Sequence, residues 1–149
     1  ERILGFCRDA GKPVVIHCRG AYADLRAVLD RLFKGPPSGR RFWGVIHCFS
    51  GEESDALLCR DLGFALGVDG PVTYPKNDGL RRTLAAAGLP CLVLETDCPY
   101  LPPQSSRGKR NEPAKLPEIA ASLAKTCAVS PEELAQITAR NGADLFLWP

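Results

Sequence analysis

Four short apolar runs begin near positions 14, 43, 64 and 92, at intervals of 29, 21 and 28 residues, and each gap contains a segment with helical periodicity. Strand and helix alternating at this spacing leave few options, because crossovers of such length join parallel strands and are right-handed. The expected architecture is therefore α/β with a parallel sheet. Four units amount to half of an eight-unit barrel, and 149 residues fall well short of the roughly 250 that a closed (β/α)8 barrel needs. The chain is read as a single domain over 1–149, carrying about four β/α units and carboxyl-terminal helices.

Residues 1 to 10 read as a helix closed by Gly11 and Pro13. There is no methionine, and Glu1 opens directly on an amphipathic pattern without a cap, so the natural amino terminus is expected upstream. Val14 to Ile16 form a β-branched strand ending at His17, followed by a helix over 21–33. Phe42 to Ile46 form a second strand ending at His47, then a helix over 52–62. The third strand spans 64–68 and leads through a turn-rich stretch to a helix over 80–87. Leu92 to Leu94 form the fourth. Helices over 116–126 and 131–147 follow, the second opened by Ser130, Pro131 and a capping-box Glu133.

The fourth run stops at two acids, Glu95 and Asp97, which strand alternation would place on one face. Parallel strands put their carboxyl ends on one rim, so His17, His47 and Asp97 are expected to converge there, and two imidazoles plus a carboxylate suit a divalent ion that activates water. A single histidine at such a place would more often be an ordinary rim residue. Both histidines of the chain and the acid occupy equivalent positions, and that favours a metal site. Arg19, one strand period beyond His17, could hold an anionic group, with a rim salt bridge as the alternative. Loop 107–113 could bring Arg107, Lys109 or Arg110 to a phosphate backbone, with Asn111 as a donor, or be a solvated charged loop. Glu95 is expected to partner an internal basic group, and Asp69 to cap a turn.

A net charge of +2 excludes a protein that coats polyanions by charge alone. No apolar run approaches the roughly 18 residues of a membrane span, so a cytoplasmic protein without membrane partners is expected. Seven cysteines, mostly within apolar runs and without a CxxC pattern, read as reduced thiols, which agrees with that compartment.

Five segments in order, PVVIHCRGA (13–21), GVIHCFSG (44–51), LGVDGPVTY (66–74), LVLETDCPYLPP (92–103) and RNEPAKL (110–116), together with NGADLF (141–146), resemble the carboxyl-terminal half of the TatD-type metal-dependent deoxyribonucleases. The resemblance implies a TIM-like (β/α) barrel of the amidohydrolase type, here only its second half, that holds one or two divalent cations (Mg, Zn or Mn) and hydrolyses phosphodiester bonds of DNA. It implies His17, His47 and Asp97 as metal ligands, Asp97 also as the catalytic group handling the attacking water, and sets Arg19 in the family's HxR; from their positions in the chain, Arg19 and Asn111 are the expected substrate-binding residues. A full-length monomer is expected. The family's HxH and its bridging glutamate do not occur here, so this chain alone is expected to be inactive. The other readings are an amidohydrolase-type enzyme acting on another ester or an amide, and a non-catalytic chain that binds a partner.

Overall fold

The computed structural model describes residues 1–148. In chain order the elements are α1 (Arg2–Asp9), β1 (Val14–His17), α2 (Tyr22–Leu32), β2 (Gly44–His47), α3 (Glu53–Asp61), β3 (Phe64–Val68), α4 (Asp78–Ala87), β4 (Leu92–Leu94), α5 (Leu116–Thr126) and α6 (Pro131–Phe146). The four strands form one parallel sheet in the order β1-β2-β3-β4. Each strand follows its neighbour through a helix, as the spacing of apolar runs demanded. The sheet is open among the described residues: β1 and β4 are its edges, and these four strands close no barrel by themselves.

Strand β2 begins at Gly44, two residues later than the apolar run suggested. A side chain at position 44 would place its Cβ 2.1 Å from the Val14 carbonyl oxygen, so only glycine lets β2 lie this close to β1. Phe42 is excluded from the ladder but remains in the core. Register pairs Val14 with Gly44 and His17 with His47. The two histidines are thus brought side by side by backbone pairing, before any side-chain chemistry is considered.

The core lies around β2 and β3, the two strands buried on both faces. Phe33 from the end of α2 meets Phe64 of β3 edge-on at 5.0 Å, the geometry favoured by the ring quadrupoles. α3 packs on β3 and α4, and α6 packs on β4 and α5. Asn141 of α6 is almost fully buried, and its Nδ2 donates to the Leu89 and Leu92 carbonyls, which pins the helix to the start of β4. α3 is closed by a capping box between Glu52 and Asp55, and α6 by Ser130, whose hydroxyl accepts from the Glu133 N–H.

Apolar side chains remain exposed on the β1 side, where Ile3, Phe6 and Val15 are 73, 71 and 60% accessible. On the β4 side, Phe146 and Trp148 line an apolar groove together with Val93 and Leu94. No helix is long and apolar enough to cross a membrane.

Candidate metal centre

The carboxyl ends of all four strands bear a group able to bind a cation, one more than the sequence reading counted. β1 ends in His17, β2 in His47, β3 runs directly into Asp69, and β4 runs into Glu95 and, two residues on, Asp97. The His17 and His47 rings lie 5.9 Å apart between centroids. His47 is the hub. Its Nδ1 lies 2.9 Å from Glu95 Oε2 and its Nε2 lies 3.2 Å from Asp97 Oδ1. Glu95 therefore has the basic partner expected of it, and its other oxygen accepts the Cys48 N–H.

The two acids reach His47 by different routes. Glu95 is still tied to the sheet, since its N–H donates to the Val68 carbonyl. Asp97 has left it: β4 ends at Leu94, and Asp97 adopts φ +53°, a left-handed conformation that costs a non-glycine residue energy. Strand alternation is thus not what aims Asp97. The turn after the strand aims it, with the Tyr100 N–H donating to the Asp97 carbonyl.

Room for Glu95 comes from β3. A Cβ at Gly67 would lie 2.4 Å from Glu95 Oε1, so the glycine leaves the space that the carboxylate fills. Burial alone would lower the pKa of His47. The Glu95 hydrogen bond and the negative charges of Glu95 and Asp97 outweigh it and raise the value above that of an ordinary imidazole.

Asp69 departs from the expected turn cap. It precedes the 3-10 turn over 70–73, but its side chain makes no capping bond. The residue is 3% exposed and Oδ2 has no hydrogen-bond partner. Burial pushes its carboxyl up to about 6, and the charges of Glu95 and Asp97 add to the shift. Cys48, read from the sequence only as one of several buried thiols, follows His47 and adopts φ +48°, which turns the chain at the rim. The available signal for Asp69 was the same one that singled out the histidines, a metal-competent side chain directly after an apolar strand.

An open cleft of about 570 Å³ contains His17, Arg19, Cys48, Asp69 and Asp97, with Tyr74 and Tyr100 at its wall. Arg19 is exposed and forms no ion pair among the described residues, so the alternative of a rim salt bridge is not realised. Asn111 is placed differently from the expectation of a substrate donor. It is 1% exposed, its Nδ2 donates to the Thr96 and Tyr100 carbonyls, and its Oδ1 accepts from the Glu112 N–H. Its polar atoms are spent on bracing the loop that carries Asp97. Arg107 from the same loop stacks over Tyr74 with its guanidinium carbon 4.2 Å from the ring centroid.

The family model described as TatD related DNase matches residues 1–147. The uncharacterized metal-dependent hydrolase YcfH of Escherichia coli K12 is 41% identical over 139 residues, 93% of this chain and 51% of that protein. A protein of Pantoea ananatis named 3'-5' ssDNA/RNA exonuclease TatD is 34% identical, over 96% of this chain and 55% of its own length. Among solved structures, YJJV, a TatD homologue from Escherichia coli, superposes with a TM-score of 0.84 at 30% identity, covering 98% of this chain and 54% of that one. A TatD-family hydrolase from Entamoeba histolytica shares the fold with a TM-score of 0.78 at 22% identity. The chain spans about half the length of the relatives it matches. These matches establish the share and not which half it is, so the expectation of a carboxyl-terminal half is not borne out.

Proposed function

The chain belongs to the TatD-related DNase family, and on that premise we propose that its protein is a divalent-metal-dependent hydrolase cleaving phosphodiester bonds of DNA. The observation that carries the reading is the convergence on one rim of His17, His47 and Asp97 from three different strand ends. Their donor chemistry fits a divalent ion: two imidazoles that register pairing sets side by side, and a carboxylate within 3.2 Å of one of them, with His17 and Asp97 lining the cleft. His17, His47 and Asp97 would hold the cation. A bound divalent ion lowers the pKa of its water and offsets charge developing on phosphate oxygen.

The chain's own side chains account for the remaining work. Glu95, hydrogen-bonded to His47 Nδ1, fixes the orientation of the ring, the part that carboxylates commonly play behind a ligating histidine. In this reading Asp97 accepts the proton of the attacking water. Arg19, exposed and unpaired at the cleft, holds the phosphate before and during attack. Asn111 acts at one remove, by holding the loop on which Asp97 stands. Only two histidines occur in the chain, so an HxH motif is absent, and these 149 residues alone are proposed to bind metal weakly and turn over little.

The test is digestion of end-labelled single-stranded DNA by the natural gene product with Mg, Mn or Zn added. Metal-dependent release of nucleotides, abolished by chelation and by Asp97→Asn, is the expected result. Cleavage indifferent to chelator, or no cleavage with any of the three ions, would reject the proposal. Labels at the two ends separate exonucleolytic from internal cleavage, and an RNA substrate tests the sugar preference.

A further inference from the structure

The cleft holds two side chains, Cys48 and Asp69, for which the proposed hydrolysis has no use, and both stand beside Asp97. Cys48 Sγ, a carboxylate oxygen of Asp69 and a carboxylate oxygen of Asp97 all lie within 4.8 Å of one another. Asp69 is 3% exposed, its Oδ2 lacks any partner, and the residue lines the cleft. A buried carboxylate oxygen left without a hydrogen bond costs stability unless something in the functional state partners it. We propose that Cys48, Asp69 and Asp97 form a second cation site, selective for thiophilic divalent ions such as zinc, cobalt or cadmium, beside the His17–His47 position and sharing Asp97 with it.

The geometry is close to what such an ion needs. Tetrahedral bonds of about 2.0–2.3 Å place donor atoms roughly 3.3–3.8 Å apart, so the three groups must approach by about 1 Å, within the reach of side-chain rotation. No existing hydrogen bond of Asp69 Oδ2 has to be broken. Selectivity follows from the sulfur: a thiolate favours zinc-like ions, whereas magnesium prefers an all-oxygen set. Two carboxylates and a thiolate offset a dication with one charge to spare, and three protein donors leave a fourth position open to water or a phosphate oxygen. On binding, the Cys48 S–H bond breaks, its proton passes to solvent, and sulfur bonds to the ion.

The site is independent of the His17 reading, because Cys48 and Asp69 are the donors peculiar to it. Titrating cobalt into the reduced, metal-free protein is expected to produce a near-ultraviolet sulfur-to-cobalt charge-transfer band that excess magnesium does not remove. Cys48→Ser should abolish the band, while Cys98→Ser, at an exposed thiol, should leave it. Asp69→Asn should weaken cobalt affinity at least tenfold. His17→Ala should keep the band while losing the metal-dependent cleavage, so the two proposals fail separately. A folded protein without the band, a band surviving in Cys48→Ser, or cobalt affinity unchanged in Asp69→Asn would overturn the inference. The last comparison stands even if the serine variant does not fold.

Discussion

Glu95 Oε2 lies 2.9 Å from His47 Nδ1, a contact between two strand ends 48 residues apart that orients the His47 imidazole. It has a consequence for pH. The contact and the nearby charge of Asp97 raise the folded-state pKa of His47 despite burial, which acts the other way. A raised histidine pKa contributes stability that is fully present below the unfolded value of about 6.5 and is lost as pH rises through the folded value. In metal-free protein, NMR titration of the ring protons should therefore place His47 above 6.5, the ordinary value. Glu95→Gln should lower the His47 midpoint and flatten the fall in stability as pH rises above about 6.5. An unchanged midpoint in that variant would show that Glu95 does not set the protonation of His47.

Asp97 and Arg19 should separate kinetically. Asp97→Asn removes a charge at nearly constant size, so in the natural gene product it should weaken metal binding and lower kcat by orders of magnitude, beyond rescue by added DNA. Arg19→Ala should leave metal affinity intact and mainly raise KM, because the phosphate charge that Arg19 holds is present both before and during attack. Steady-state kinetics with a metal titration on each variant decides this, and a kcat effect confined to Arg19→Ala would reverse the two assignments.

Gly67→Ala tests the packing behind the histidine. The added methyl would stand 2.4 Å from Glu95 Oε1, in a strand buried along its whole length, so either the carboxylate or β3 must move. The expected cost is about 1–3 kcal/mol, read from denaturant unfolding, together with a lower His47 pKa as Glu95 is pushed away. Stability loss without a change in His47 titration would mean that the strand yields and the carboxylate stays.

Asn111→Ala should act on the loop. It strands the Thr96 and Tyr100 carbonyls, both held by the one amide, and is expected to cost about 1–3 kcal/mol. Proteolysis within 98–110 should accelerate, whereas a residue that merely touched substrate would leave the free protein's protease sensitivity unchanged.

The spacing of apolar runs was sufficient to determine the parallel order of the strands, because strand starts 21 to 29 residues apart, with helical periodicity between them, have essentially one handed solution. The same periodicity put His17 and His47 at equivalent strand ends, and the register His17↔His47 follows from that equivalence. Local pattern also located Ser130 as a helix cap. Tertiary structure decided the rest. Nothing local distinguishes Asn111, whose buried amide braces a loop, from a solvated asparagine able to meet substrate, since burial depends on what packs over it. Asp69 looked like a turn acid because its sequence neighbours are turn formers, yet β3 carries it into the cleft with Oδ2 unpartnered. Asp97 is aimed by a left-handed turn that alternation along a strand could not foresee. Periodicity encodes which face a residue takes within an element; the direction of a side chain just beyond an element's end depends on contacts with residues distant in sequence.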